Sequence, residues 1–175
     1  MKSEQKQAVY YGEMNDKNGT IYVAATDKGL CYVGSLNEGI NELKNWIDKK
    51  RSGATLIENV EKIRPYMVQL EEYLKGKRKN FDIPIDVKGT PFQEMIWNEL
   101  QRIPYGETAS YSDIANNIGT PTAARAVGTA IGANPVLIVV PCHRVVAKNG
   151  NLTGFRGGLP MKEKLLILEN PKKKF

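Results

Sequence analysis

The feature that most constrains the fold is a series of helix-start signals in the second half of the chain. Thr90-Pro91-Phe92-Gln93 provides a capping threonine, a proline at the first helical position and a glutamine three residues after the cap. This capping-box arrangement predicts a helix that runs to about Arg102. Ser110 with Asp113 gives a similar start, and Gly119 marks the end of the helix that follows.

Thr120-Pro121 then opens a further predicted helix, in which Ala124, Val127 and Ile131 fall on one face. Two short helices separated by a Gly-Thr-Pro turn are typical of a helix-turn-helix. Generic helix packing is the alternative interpretation of this pair. The sequence therefore predicts a helical second half, with nucleic-acid binding as one of two open explanations.

The first third of the chain predicts strands. Residues 7–14, 19–27 and 29–36 are rich in Val, Tyr and Ile and are separated by "NDKNG" and "TDKG" turns, so we expect an antiparallel meander. Residues 40–51 and 63–79 carry apolar side chains at helical spacing, including Tyr66, Leu70, Tyr73 and Leu74 in the second segment. We expect these helices to cover one face of the sheet.

A charged stretch marked by proline and glycine, residues 76–89, is the best candidate for a linker. It predicts an N-terminal sheet-and-helix domain over residues 1–86 and a second domain over residues 87–175. The expected fold class is α+β, with an antiparallel sheet followed by a helix-turn-helix.

Composition narrows the possible partners. The net charge is +6, and residues 86–175 carry 11 basic and 7 acidic side chains against 14 and 12 in residues 1–85. A basic domain favours polyanionic partners, and nucleic acid is the first candidate among them. No apolar run approaches the roughly 20 residues that span a bilayer, and no signal peptide is apparent, so we expect a cytoplasmic protein without a membrane partner.

The predicted helix that Thr120-Pro121 opens has a surface suited to DNA. Small residues surround a single Arg125, and this combination fits a minor groove better than base-edge reading in the major groove. The residues expected to be exposed there are Ala123, Ala126, Thr129 and Ala130.

The chain contains one histidine, and it directly follows a cysteine in "VVPCHRVVAKNG". A thiol becomes a nucleophile when it loses its proton, and His143 is the natural base for Cys142. Adjacent side chains in extended backbone point to opposite sides, so a bridging water or a tight turn must connect the pair. Glu169 is a candidate to orient the imidazole.

The position of Cys142 after an apolar segment, Val136 to Val140, predicts a strand that gives way to a loop. This setting, with Arg144 nearby, predicts a partly open thiol of lowered pKa. Cys31 lies inside an apolar strand pattern, and we expect it to act as a small hydrophobic side chain. Two cysteines and one histidine do not form a zinc pattern, so no metal is expected.

Pro141-Cys142-His143-Arg144-Val145, preceded by Asn134-Pro135, resembles the active-site signature of the 6-O-methylguanine-DNA methyltransferases. These suicide DNA-repair proteins move an alkyl group from guanine onto their own cysteine. Residues 90–170 resemble the family's C-terminal domain in the order and spacing of further motifs, including "PFQEMIWNELQRIPYGETASYSDIA" and "TGFRGGLPMKEKLLILE". The first half resembles the family loosely, as a domain of ribonuclease-H-like topology.

The resemblance assigns roles to individual residues. Cys142 would accept the alkyl group, His143 would deprotonate the Cys142 thiol through a water, and Glu169 would fix the tautomer of the imidazole. Asn134 would secure the turn that contains the cysteine. Tyr111 would bind the purine and help to neutralise the leaving guanine. The pocket would use the main chain of Cys142 and Val145, the loop around Arg156, and Phe155, which replaces the tyrosine of many relatives. DNA would be met by Thr122, Ala123, Ala124 and Arg125, with Arg125 entering the stack as the base flips out.

The resemblance further implies double-stranded DNA with alkylated guanine as the partner, no cofactor, no structural zinc and a monomer that acts once. Two other functions remain open. A lesion-binding protein would keep the DNA-binding fold without using the thiol, and a cysteine hydrolase would use Cys142, His143 and Glu169 with turnover. Stoichiometry separates the three.

Overall fold

The computed structural model describes residues 6–173 and 175. The elements in chain order are β1 (Ala8–Asp16), β2 (Gly19–Thr26), β3 (Gly29–Val33), α1 (Ile40–Lys50), β4 (Thr55–Glu58), α2 (Val60–Leu74), α3 (Pro91–Leu100), β5 (Ala109–Ser110), α4 (Tyr111–Asn117), α5 (Ala124–Gly132), β6 (Val145–Val146) and α6 (Leu159–Glu169). A four-stranded sheet fills the first half, and helices dominate the second. The predicted α+β class is confirmed.

The main sheet has the strand order β3-β2-β1-β4. The first three strands form the predicted antiparallel meander, whereas β4 pairs with β1 in parallel, so the sheet is mixed. Strand β4 is not expected from the sequence. Its four residues are mostly exposed, and such a short edge strand carries no alternating apolar pattern.

The two helices of the first half lie on opposite faces of the sheet, so the prediction that both cover one face is wrong. Leu43 and Ile47 of α1 pack in a small core with Val9 and Ala24. Ile63 of α2 belongs instead to the main core on the other face. Alternate residues of a strand point to opposite faces, and this sheet is apolar on both, so each face needs a helix.

The capping boxes predicted for the second half are confirmed. Thr90 and Gln93 exchange side-chain and backbone hydrogen bonds at the start of α3, and Ser110 and Asp113 do the same for α4. Helix α3 ends at Leu100, two residues before the predicted end. These starts could be predicted because each depends on residues only three positions apart.

The start of α5 differs from the prediction. The Thr120 carbonyl accepts from the Ala123 N–H at 2.9 Å, which closes a turn, and the helix begins at Ala124 without a side-chain cap. The Thr120 hydroxyl is buried and has no partner in the described part of the chain. The predicted helix-turn-helix pair is therefore present as α4 and α5, with a longer turn.

The two halves share one core. Leu30 and Val33 of the sheet belong to the same cluster as Trp97 and Leu100 of α3. The Val33 N–H also donates to the Pro135 carbonyl at 3.0 Å. This continuity places the sheet directly behind the loop that carries Cys142.

Candidate active site around Cys142

Cys142 begins a short 3-10 turn, Cys142–Arg144, that follows a compact buried loop. The apolar segment before it is buried throughout but forms turns, with a single isolated bridge from Val136 to Val33, so the strand predicted there is wrong. Ile138 has φ +73°, a conformation that a β-branched residue seldom adopts. Backbone strain of this kind is often found at functional sites.

Asn134 secures this loop through its side chain. Its amide nitrogen donates to the Val140 carbonyl at 2.9 Å and lies 3.2 Å from the Cys142 sulfur. Its side-chain oxygen accepts from the Val136 N–H at 2.9 Å. These bonds satisfy backbone groups that a strand ladder would otherwise satisfy, which explains why an apolar run folds here without a strand.

His143 and Glu169 form a buried pair. The His143 side chain is fully buried, and its Nε2 lies 2.7 Å from Glu169 Oε2. Arg144 donates to both oxygens of Glu169, from Nε at 2.7 Å and from a terminal nitrogen at 3.0 Å. These donors hold the pKa of Glu169 well below its ordinary 4.5, at about 2, although burial acts in the opposite direction.

The electrostatics of His143 favour a neutral imidazole. Burial lowers its pKa, with further lowering by Arg144 and Lys162, while Glu169 opposes the shift. Because Nε2 faces a carboxylate, the proton of the neutral ring belongs on Nε2. The other nitrogen, Nδ1, is buried without a hydrogen-bond partner in the described residues, which leaves it available to accept a proton.

The thiol of Cys142 differs from the prediction of a partly open group with a lowered pKa. The residue is only 3% exposed, and burial raises the pKa of its thiol. Asn134, Arg156 and Lys162 favour the thiolate, but burial outweighs them. Burial therefore favours a neutral thiol at Cys142 and a neutral imidazole at His143.

Lys162 is a residue that the sequence analysis missed. It is fully buried on α6, and its Nζ donates to the Val145 carbonyl at 2.6 Å and the Thr153 carbonyl at 2.8 Å. Burial lowers its pKa to about 8. A lysine in "MKEKLLILE" normally predicts an exposed side chain, so no sequence signal marked it.

The other predicted pocket residues lie around this centre. Tyr111 begins α4, and its hydroxyl accepts from the Thr153 hydroxyl at 3.0 Å. Val145 is buried in β6, and Phe155 is half-buried against the main core. Thr153 thus contacts Tyr111 and is linked through the Lys162 ammonium to Val145.

The Arg156 side chain is committed to contacts within the protein. Its guanidinium donates to the carbonyls of Val33 and Pro135 at 2.7 and 3.1 Å, and it forms an ion pair with Glu42 at 3.0 Å. A further bond joins Arg156 Nε to the Asn134 carbonyl at 3.2 Å. The resemblance predicts a substrate contact through the loop around Arg156, by way of its backbone. That contact stays a prediction.

The predicted DNA-contacting residues lie together at the start of α5. Thr122 and Arg125 are exposed, and Ala123 and Ala124 are half-buried. An open groove of about 630 Å³ between α5 and the start of α3 is lined by Thr122, Ala123 and Arg125, and Ala124 lies beside it. Ala130 is expected from the sequence to be exposed but is buried, because it packs in the main core with Trp97, whose indole donates to its carbonyl at 2.9 Å.

Two further findings concern metals and membranes. Within residues 6–173 and 175, no three histidine, cysteine or carboxylate side chains cluster as metal ligands would. None of the helices in that part of the chain is long and apolar enough to cross a bilayer.

Comparison with known proteins identifies the family. The ribonuclease-like domain of 6-O-methylguanine DNA methyltransferase matches residues 9–87, and the DNA-binding domain of the same family matches residues 91–171. A methylated-DNA–protein-cysteine methyltransferase of Bacillus subtilis, described as inducible, is 55% identical over 94% of this chain and 92% of its own. A protein of the same name from Methanosarcina acetivorans is 44% identical over 92% of this chain and 98% of its own.

Solved structures agree in fold. The crystal structure of Mycobacterium tuberculosis O6-methylguanine methyltransferase has a TM-score of 0.81 and 36% identity, and covers 95% of each chain. The Mycobacterium tuberculosis OGT in complex with DNA has a TM-score of 0.80 and 36% identity, and covers 94% of this chain and 93% of that one. With family models matching nearly its whole length, this chain belongs to the 6-O-methylguanine DNA methyltransferase family.

Proposed function

We propose that Cys142 accepts the alkyl group from 6-O-alkylguanine in duplex DNA, in one transfer without turnover. Family membership establishes the class of reaction, DNA repair by alkyl transfer to a cysteine of the protein, and double-stranded DNA as the partner. The observation that carries the assignment to Cys142 is that it directly precedes His143 of the buried His143–Glu169 pair in the 3-10 turn, with the Asn134 amide nitrogen 3.2 Å from its sulfur.

The reaction begins with removal of the thiol proton. A bridging water passes it to Nδ1 of His143, which has no other partner in the described residues, and Glu169 stabilises the imidazolium that forms. Burial makes an unreacted thiolate costly, so deprotonation is coupled to attack on the alkyl carbon.

The second step is an in-line displacement. A bond forms between the Cys142 sulfur and the alkyl carbon as the bond from that carbon to the guanine oxygen breaks, and the electron pair leaves with guanine. The Tyr111 hydroxyl helps to neutralise the departing guanine, while main-chain groups of Cys142, Val145 and the loop around Arg156 hold the base beside Phe155. The product is a thioether, which has no easy hydrolytic exit.

The experiment that tests this function is transfer stoichiometry. Duplex DNA with labelled 6-O-methylguanine should transfer about one methyl group per chain, with no turnover, since a thioether is not hydrolysed as an acyl-enzyme is. Mass spectrometry should find an increase of about 14 Da on the peptide that contains Cys142. Continued turnover would point to a hydrolase, and binding without transfer would point to a lesion-binding protein.

Arg125 is proposed to enter the base stack when the nucleotide flips out. Its side chain is exposed and forms no ion pair with the described residues, so it is free to meet DNA. Arg125→Ala should slow repair of duplex DNA at least about tenfold, because flipping costs a few kcal/mol that the arginine helps to offset. Reaction with free 6-O-methylguanine base should not change.

The matched control for Arg125 is Arg64→Ala, which removes an exposed arginine from α2. This variant should repair duplex DNA at the wild-type rate. Equal effects of Arg125→Ala on duplex and free base would contradict the proposed role.

We also propose a cytoplasmic location, a monomer and a domain boundary between residues 86 and 87. Both cysteines are unpaired thiols, and a protein that uses its nucleophile once needs a reducing compartment until it meets damage. The monomer stays a prediction. The boundary also stays a prediction, because the main core draws side chains from both halves.

A further inference from the structure

A tyrosine from the first half of the chain reaches the buried pair of the site. Tyr73 lies in the last turn of α2 and is fully buried. Its hydroxyl donates to Glu169 Oε2 at 2.5 Å and lies 3.5 Å from His143 Nε2. The hydroxyl therefore binds the same carboxylate oxygen as the imidazole.

The Tyr73 ring is held in place by packing. It lies 5.5 Å from the Phe81 ring and meets the Tyr105 ring edge-on at 6.1 Å, measured between centroids. A side chain that served only to fill the core could be phenylalanine here, since both neighbours are aromatic. The Tyr73 hydroxyl instead donates a hydrogen bond to the Glu169 carboxylate.

The donors to Glu169 come from three parts of the chain. His143 and Arg144 come from the 3-10 turn, Tyr73 comes from α2, and the Gly106 N–H, 3.3 Å from Oε1, comes from the loop after α3. The charged and titratable groups that face the pair are Arg144, Lys162, Tyr73 and Tyr105, with Lys79 over the outer ring of Tyr105. Two of these groups, Tyr73 and a terminal nitrogen of Arg144, donate to the Glu169 oxygen that faces His143 Nε2, and Tyr73 is the neutral one and the one that comes from the first half of the chain.

We propose that Tyr73 is a positioning residue for alkyl transfer, which fixes the Glu169 carboxylate so that it accepts from His143 Nε2 and keeps Nδ1 unprotonated. This inference rests on the proposed role of His143 as the base. Tyr73 keeps its own proton throughout, because burial and the adjacent carboxylate raise its pKa well above 10. The thiol proton still goes to Nδ1, and Tyr73 neither gains nor loses one.

The proposal gives the N-terminal sheet-and-helix half a part in the chemistry. Helix α2 packs on the sheet through Ile63, Met67 and Leu70, on the same face as Tyr73. The sheet thus sets the position of Tyr73, which holds the Glu169 carboxylate against His143. The second half alone would leave Glu169 without one of its donors.

The test is Tyr73→Phe, which removes the hydroxyl and keeps the ring. The matched control is Tyr105→Phe, whose hydroxyl contacts the Leu168 carbonyl at 3.5 Å and not the carboxylate. Because the chain has one histidine, nitrogen-15 NMR of labelled histidine reports the tautomer of His143 alone. We expect the Nε2–H tautomer in the wild type and in Tyr105→Phe, and a mixture of tautomers in Tyr73→Phe.

The rate of transfer provides a second readout. Tyr73→Phe should slow single-turnover methyl transfer about tenfold, the usual scale for one hydrogen bond to a charged group. Without the hydroxyl the Glu169 carboxylate is held less firmly against Nε2, so it stabilises the imidazolium less and the pKa of His143 falls. The acid limb of the pH–rate profile should therefore move to lower pH in this variant and stay in place in Tyr105→Phe.

A folded Tyr73→Phe protein with the wild-type tautomer, rate and pH profile would overturn the proposal. If that variant does not fold, the tautomer of His143 in the wild type provides the test. A ring proton on Nδ1 would overturn the proposal. A ring proton on Nε2 with a nuclear Overhauser effect to the Tyr73 hydroxyl would support it. The tautomer is measured without DNA. A negative result there therefore counts against Tyr73 alone, whereas absence of methyl transfer by the wild type counts against the proposed function.

Discussion

Cys142→Ser is expected to abolish methyl transfer from 6-O-methylguanine DNA while leaving affinity for duplex DNA unchanged. A serine hydroxyl is a far weaker nucleophile than a thiolate, and a neutral imidazole cannot ionise it to a useful extent. The sulfur lies in the buried loop, whereas Thr122 and Arg125 at the start of α5 are the groups proposed to meet DNA. Labelled methyl counts and a binding titration at fixed salt measure the two effects separately.

The second cysteine provides the matched control. Cys31 is fully buried in the small core of the sheet, and burial raises the pKa of its thiol to about 12, so it is inert at neutral pH. Cys31→Ala should therefore transfer one methyl group per chain, as the wild type does. Methyl transfer by Cys142→Ser, or its loss in Cys31→Ala, would show that the acceptor has been assigned to the wrong residue.

Glu169→Gln should have the second large effect, because this carboxylate orients the base and also pairs with a buried arginine. The amide can donate to His143 Nε2 and so favour the wrong tautomer, and a change of this kind in a nucleophile–base–carboxylate system costs up to about 10⁴-fold in rate. Arg144 would also lose its partner in a buried site, which typically costs about 3–5 kcal/mol. Single-turnover kinetics and urea unfolding measure the two losses.

The same substitution should change how stability depends on pH. The pKa of Glu169 is about 2 in the folded protein against an ordinary 4.5, so the folded state favours the ionised form. The stabilisation is fully present above pH 4.5 and is lost as the pH falls toward 2, and it amounts to about 3 kcal/mol at most. Unfolding free energies of the wild type should fall across this window, and those of Glu169→Gln should fall less.

Glu163→Gln is the control on the same helix. Glu163 is exposed on α6, so its variant should retain the wild-type rate and the wild-type loss of stability in acid. If Glu169→Gln transferred methyl groups at the wild-type rate, the orienting role would be wrong. An unchanged pH dependence would contradict the assignment of the low pKa to Glu169.

The parts of the fold that could be predicted are those specified by nearby residues. The starts of α3 and α4 depend on a cap and a partner three residues apart, and the structure contains both capping boxes. The segment from Val136 to Val140 predicts a strand that the structure does not contain, because an apolar run of that length suits either a strand or a buried loop. The side chain of Asn134 decides between them by satisfying the loop's backbone groups.

The candidate site shows the same division. Cys142 and His143 are adjacent in the sequence, and Glu169 was among few carboxylates in the second half, so the three could be named without a structure. Lys162 could not be named, since it is buried only because α6 packs against the loop near Val145. Tyr73 was correctly predicted as part of an apolar helix face, but the contact of its hydroxyl with Glu169 joins residues 96 positions apart.

The sequence by itself determined the α+β class, the helix-turn-helix and the family, and it predicted the nucleophile and its base. The tertiary structure alone decided how deeply the thiol of Cys142 is buried and which residue of the first half contacts Glu169. The physical reason is that motifs and caps act between neighbours in the chain, whereas the cost of a buried charge depends on everything packed around it. Burial reversed the predicted direction of the Cys142 pKa, and no arrangement of letters around that cysteine could have indicated how deeply it lies.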